Sequence, residues 1–106
     1  MEINIKPSEI YFSHSKINPR FTGCKKLISE SLTEITTGAT KISAIPKIKL
    51  YVAGDRYISE NNRRLFLFKE LEKLGLLETI TCRVVKAKNP KMFTNTYSKT
   101  AKLLKN

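Results

Sequence analysis

Two arginines that open an amphipathic helix are the residues of this 106-residue chain best placed to do chemistry. They lie in the run Tyr57-Ile58-Ser59-Glu60-Asn61-Asn62-Arg63-Arg64-Leu65-Phe66-Leu67-Phe68-Lys69. A short strand ends there, Asn61 and Asn62 turn the chain, and Arg63 and Arg64 start the next helix. The first N–H groups of a helix lack partners within the helix, and its dipole is positive at that end. Helix starts therefore favour acidic side chains. Two cations at this place point to an anionic partner, most simply a phosphate, which guanidinium forks grip in pairs of hydrogen bonds. Asparagine is also a favoured N-cap, so a capped helix carrying solvated arginines fits the same residues. Charge alone leaves the two readings level.

The remaining candidates are weaker. His14 is the one histidine in the chain, and Cys24 and Cys82 lie far apart in sequence. A zinc site of the usual N/S type is not expected, and no metal or cofactor is. Cys24 lies near an expected helix start, where thiolate character rises, but no partner for it can be read. His14 reads as a hydrogen-bonding loop residue. No Gly-rich phosphate loop, Ser-His-Asp set or catalytic carboxylate pair is present, so no catalytic residue is assigned.

Twenty basic residues against nine acidic ones give a net charge of +11, the balance of a chain that meets nucleic acid or an anionic surface. Hydrophobic residues make up 41%, enough for one folded core. No apolar run approaches the ~20 residues of a membrane span, and the first residues lack the apolar stretch of a secretory signal. A reduced cytoplasmic setting is expected.

The elements that must position the arginines follow from periodicity. Ile10-Tyr11-Phe12 reads as a short strand, followed by a polar loop from His14 to Phe21. A helix is expected from about Cys24 to Thr36, with Leu27, Ile28, Leu32 and Ile35 on one face and Gly38 as its stop. Ala44 to Val52 reads as the best strand, with Ile48, Leu50 and Val52 inward. Gly54-Asp55 turns the chain into Arg56-Tyr57-Ile58. The second helix is expected from about Asn62 to Leu74, with Leu65, Phe68, Leu71 and Leu74 inward and Gly75 beyond. Thr79 to Val85 reads as a last strand with Ile80, Cys82 and Val84 inward. Tyr11, Tyr51 and Tyr57 read as partly buried sheet residues.

Composition changes after Glu78, the last acidic residue. Asn89-Pro90 marks a boundary between a domain over 1–88 and a basic C-terminal arm over 89–106. Lys86, Lys88, Lys91, Lys99, Lys102 and Lys105 accompany Phe93 and Tyr97. Lysines neutralise phosphates and aromatic faces stack on unpaired bases, so this composition suits an RNA-contacting arm. A solvated tail is the plainer reading. Ser98 to Lys105 could form a short basic helix.

The central run resembles the ParB/sulfiredoxin superfamily, most closely small eukaryotic domains with a strand followed by N-N-R-R-L, an aromatic and then a lysine. Here these are Asn61, Asn62, Arg63, Arg64, Leu65, Phe66 and Lys69. Tyr11 to Ile17, Phe21, the helix ending at Gly38, Ile45 to Ile48 and Arg83 also fit, so the likeness covers roughly residues 9–86. The resemblance implies a nucleotide phosphate bound at this helix start. Sulfiredoxins carry a cysteine just before the His-Arg pair of the turn, and clamp-type ParB proteins an acidic residue; Asn62 stands there instead. The group needed for turnover is missing while the anion-binding shell remains. With its small size, its lysine and isoleucine content and its charge, the chain also resembles the microsporidian ribosome dormancy (hibernation) factors.

The expectation is therefore an α+β fold, a small mixed sheet with two main helices, ParB/sulfiredoxin-like, plus the basic arm. The expected function is non-enzymatic RNA binding on the ribosome. The resemblance implies occupation of the tRNA exit site, so that tRNA is blocked, with ribosomal RNA and ribosomal proteins as partners. No membrane is involved, and off the ribosome the chain is expected to be a monomer. Asn61, Asn62, Arg63 and Arg64 would bind phosphate, helped by Lys86, Lys88, Lys91, Phe93, Tyr97, Lys99, Lys102 and Lys105. The alternative is a nucleotide-binding phosphotransferase or nuclease of the same superfamily. A DNA-binding module is a third possibility, for which no helix-turn-helix pair is evident.

Overall fold

The computed structural model describes residues 1–13, 16–19, 26–85 and 99–103. They form a mixed α+β fold. The strands are β1 (Glu2–Ile5), β2 (Ile10–Phe12), β3 (Lys16–Ile17), β4 (Lys49–Ala53), β5 (Arg56–Ser59), β6 (Ile80–Val85) and β7 (Lys102–Leu103), and the helices are α1 (Ile28–Thr36) and α2 (Asn62–Lys73). Five strands make one sheet in the order β1-β6-β4-β5-β2, and β3 pairs with β7 apart from it. The β4–β5 pair is an antiparallel hairpin through Gly54, at φ +64°, a conformation that suits glycine. Parallel pairing flanks it on both sides, β4 with β6 and β5 with β2.

The core is one cluster. Ile10, Phe12, Ile48, Leu50 and Cys82 of the sheet region pack with Ile28 of α1 and with Leu65, Leu67, Phe68 and Leu71 of α2. α2 packs against α1, the 3-10 turn Pro7–Glu9 and β2, so it is covered on several sides. That is why Leu67 is buried although it lies off the expected stripe. Leu74 falls beyond the last turn and is 56% exposed, correcting its expected inward place.

Two boundaries differ from the sequence reading. Leu27 is extended and caps α1, its N–H donating to Glu30 Oε1 at 3.1 Å, so the helix begins at Ile28. Residues 24 and 25 of the expected helix lie outside the described residues. The strand expected from Ala44 begins at Lys49, because Ile42–Ala44 closes a 3-10 turn and Pro46 has no N–H to give to a ladder. Within β4, Leu50 and Tyr51 face opposite ways and are both buried, whereas Val52 runs past the core and is 51% exposed.

The helix expected over Ser98 to Lys105 does not form at residues 99–103. Lys102 and Leu103 instead pair in parallel with Lys16 and Ile17, and Ala101 packs on the core cluster. A cut at Lys91 therefore removes part of the fold, where the sequence alone suggested that it would leave the core untouched. Deleting residues 91–106 is expected to cost about 1–3 kcal/mol in lost pairing and burial. Thermal unfolding followed by circular dichroism should show a melting temperature lower by roughly 5–10 °C. An unchanged melting temperature would show that β7 contributes nothing.

Candidate phosphate-binding corner

The corner is built by asparagines that tie three strands together. Asn61 sits at the N-cap of α2 with φ −118° and ψ 75°, yet no side chain caps the helix. Its Oδ1 instead accepts the N–H of Lys49 at 3.0 Å, at the start of β4. Its own N–H donates to Oγ of the fully buried Ser59 at 2.9 Å, and the neighbouring Glu60 N–H donates to the Lys49 carbonyl, also at 2.9 Å. Asn62 reaches the other way. Its Oδ1 accepts the Ser13 N–H at 3.0 Å, and its Nδ2 donates to Ser13 Oγ at 2.8 Å, just past β2. The capping role expected for these amides is thus replaced by strand-to-strand ties.

The consequence is electrostatic. The first turn of α2 carries no acidic residue and no side-chain cap, so no carboxylate in that turn balances the positive end of its dipole. Arg63 and Arg64 are both half-buried there. Arg64 Nη1 donates to the Lys47 carbonyl at 3.2 Å, which fixes its guanidinium beside the helix start. Glu60 is the nearby acid, and its carboxylate engages the Tyr51 hydroxyl. Burial, followed by that hydrogen bond, raises the Tyr51 pKa.

The structure also brings together a basic and aromatic cluster that sequence reading did not assemble. Tyr11, on the edge strand β2, has the Arg56 guanidinium 5.1 Å and the Lys99 ammonium 5.4 Å from its ring centre. Lys69 Nζ stands 5.3 Å from the Phe12 ring centre. A cation over an aromatic face is attracted by the ring quadrupole, which helps to hold these side chains together. Alternation alone marks Tyr11 as a sheet residue. Arg56 and Lys99 are 43 residues apart in sequence, and only the β2–β5 pairing and the path of the C-terminal segment join them.

Of the expected arm residues, Lys99 lies in this cluster and Lys102 in β7. Lys86, Lys88, Lys91, Phe93, Tyr97 and Lys105 lie outside the described residues, as do His14, Phe21 and Cys24. Cys82 is fully buried, and burial pushes its thiol up to about 11, so it stays protonated at neutral pH. Among the described residues, no group of His, Cys, Asp or Glu is placed to hold a metal ion, and no helix is long and apolar enough to cross a membrane. Comparison with protein-family models, with curated proteins and with solved structures finds no match to the chain.

Proposed function

We propose that this protein is a non-enzymatic RNA-binding protein that works on the ribosome as a dormancy factor. In this reading its fold is ParB/sulfiredoxin-like, and its ancestral nucleotide-phosphate corner has become an RNA-phosphate grip. It occupies the tRNA exit site of idle cytoplasmic ribosomes, contacts ribosomal RNA and ribosomal proteins, and excludes tRNA by bulk. Off the ribosome it is a monomer.

The observation that carries this reading is the start of α2. Two arginines occupy the first turn of a helix that has neither an acid nor a side-chain cap there, in a chain of net charge +11. Asn62 supports the non-enzymatic side. It occupies the place of the reactive group in the resembled enzymes, and both ends of its amide are held by Ser13. The Tyr11, Arg56 and Lys99 cluster adds an aromatic face and two cations suited to an unpaired base and its phosphate.

Binding of purified protein to structured ribosomal RNA across a salt series tests the phosphate grip. Each phosphate contact should contribute roughly 0.7–0.9 to the slope of log affinity against log salt. A slope of several units is expected. Affinity indifferent to salt would remove the electrostatic basis of the proposal.

A further inference from the structure

A second charged feature lies along the middle of α2, away from its N-terminus. A cavity of about 260 Å³ opens between α2, β2, the Pro7–Glu9 turn and the C-terminal segment. Phe12, Phe66 and Ala101 supply apolar wall, and Lys69, Lys73 and Lys99 supply three amines. The two phenylalanine rings stand 6.4 Å apart, centre to centre, at a 46° tilt.

The two acids lining the cavity are already engaged. Glu72 accepts the Ser8 N–H at 2.8 Å and the Ser8 Oγ–H at 3.1 Å, and Glu70 pairs with Lys73 at 3.5 Å. Lys69 has no hydrogen bond or ion pair among the described residues; its Nζ rests over Phe12. Glu72 is the main opposing charge felt by Lys69 but is tied to Ser8, so this half-buried ammonium has no direct ion pair. Burial, with further lowering from Lys99 and Lys73 against the opposing effect of Glu72, brings the Lys69 pKa down to about 8.

We propose that this cleft is a binding site for a small phosphate- or carboxylate-bearing molecule with a flat apolar body. Its anion lies among Lys69, Lys73 and Lys99, and its body lies against Phe66 and Ala101. A bound anion relieves the repulsion among the three amines. The volume sets the size, since it lies just below the ~300 Å³ at which ordinary small-molecule pockets begin. The site is separate from the arginine corner, shares Lys99 with the Tyr11 cluster, and is tested without RNA.

Lys69 supplies a readout. With a pKa of about 8, about a quarter of the amine is neutral at pH 7.5, against roughly a thousandth for an ordinary lysine. Pyridoxal 5′-phosphate is a suitable probe, being flat, anionic and an aldehyde. The neutral Lys69 nitrogen attacks the carbonyl carbon, the oxygen leaves as water, and added borohydride delivers hydride to the imine to give a stable secondary amine. Peptide mass spectrometry then locates the adduct.

Lys69 should be the main lysine modified. It should be labelled about 10-fold more by the phosphate-bearing aldehyde than by pyridoxal, which lacks the phosphate. The exposed amino terminus of Met1 is the internal control and should scarcely distinguish the two reagents. Inorganic phosphate should suppress the Lys69 adduct more than chloride at equal ionic strength. Lys73→Ala with Lys99→Ala should abolish the preference while the circular dichroism spectrum is kept. Adducts spread over the surface lysines, or equal labelling of Lys69 by both aldehydes, would overturn the proposal. Because no RNA is present, either result is independent of the ribosomal reading.

Discussion

Replacing Arg63 and Arg64 together by alanine is expected to weaken RNA binding by about 100-fold. A hydrogen bond to a charged group contributes roughly 1.5–3 kcal/mol, and the lower figure for each arginine already gives that factor. The effect should exceed what two surface charges contribute, because the groups are held at a helix start. Arg64 is fixed by the Lys47 carbonyl, and α2 is locked to the sheet through Asn61 and Asn62. Less side-chain freedom is then lost when phosphate binds. Arg63→Lys with Arg64→Lys keeps the charge and loses the fork, so it should recover only part of the affinity. The comparison is with Lys86, Lys88, Lys91 and Lys105 changed to glutamine. Substitution is needed there because deletion also removes β7. Fluorescence anisotropy with a structured RNA at fixed salt measures all three proteins. Equal loss per charge at corner and arm would mean that the corner is only part of a diffuse basic surface.

Leu65→Ala should destabilise the protein by about 2–5 kcal/mol, the usual cost of emptying a fully buried leucine site. Leu65 has no exposed surface, and its N–H makes the first helical bond of α2, to the Asn61 carbonyl at 3.0 Å. The cavity would open directly beneath the arginine corner. Loss of RNA affinity should therefore accompany a fall in melting temperature of about 10 °C or more. Leu74→Ala is the contrast. The sequence pattern puts Leu74 on the same stripe, but it is 56% exposed, so its removal should change stability by no more than about 0.5 kcal/mol. Denaturant melts of the two variants decide the matter. Equal destabilisation would mean that Leu74 is as buried as Leu65, as the stripe read from sequence implies.

The parts of the fold legible in sequence are those set by local rules. Ile10–Phe12 is a strand, Gly38 and Gly75 end their helices at positive φ, and Gly54 turns the hairpin, all as spacing and residue type suggest. What escaped depends on distant partners. β1 is four residues long and exists because Ile5 meets Ile80 and Ile3 meets Cys82 across the antiparallel β1–β6 pair. The two-residue β3 and β7 have no periodicity to read and are defined only by each other. At the corner, residue types marked Arg63, Arg64 and the asparagines. They did not show that the asparagine amides serve Lys49 and Ser13 rather than the helix end. Capping follows from local chain geometry, whereas these ties require β4 and β2 to arrive at the same place. The Tyr11, Arg56 and Lys99 cluster was hidden for the same reason.

Sedimentation of the tagged protein from a native, low-salt lysate through a sucrose gradient tests the central claim most directly. The protein should travel with ribosomes, chiefly with idle single particles rather than polysomes, and raised salt should release it. The Arg63→Ala, Arg64→Ala variant should shift toward the top of the gradient while remaining folded. Recovery of the unaltered protein only at the top at low salt would contradict the ribosomal reading.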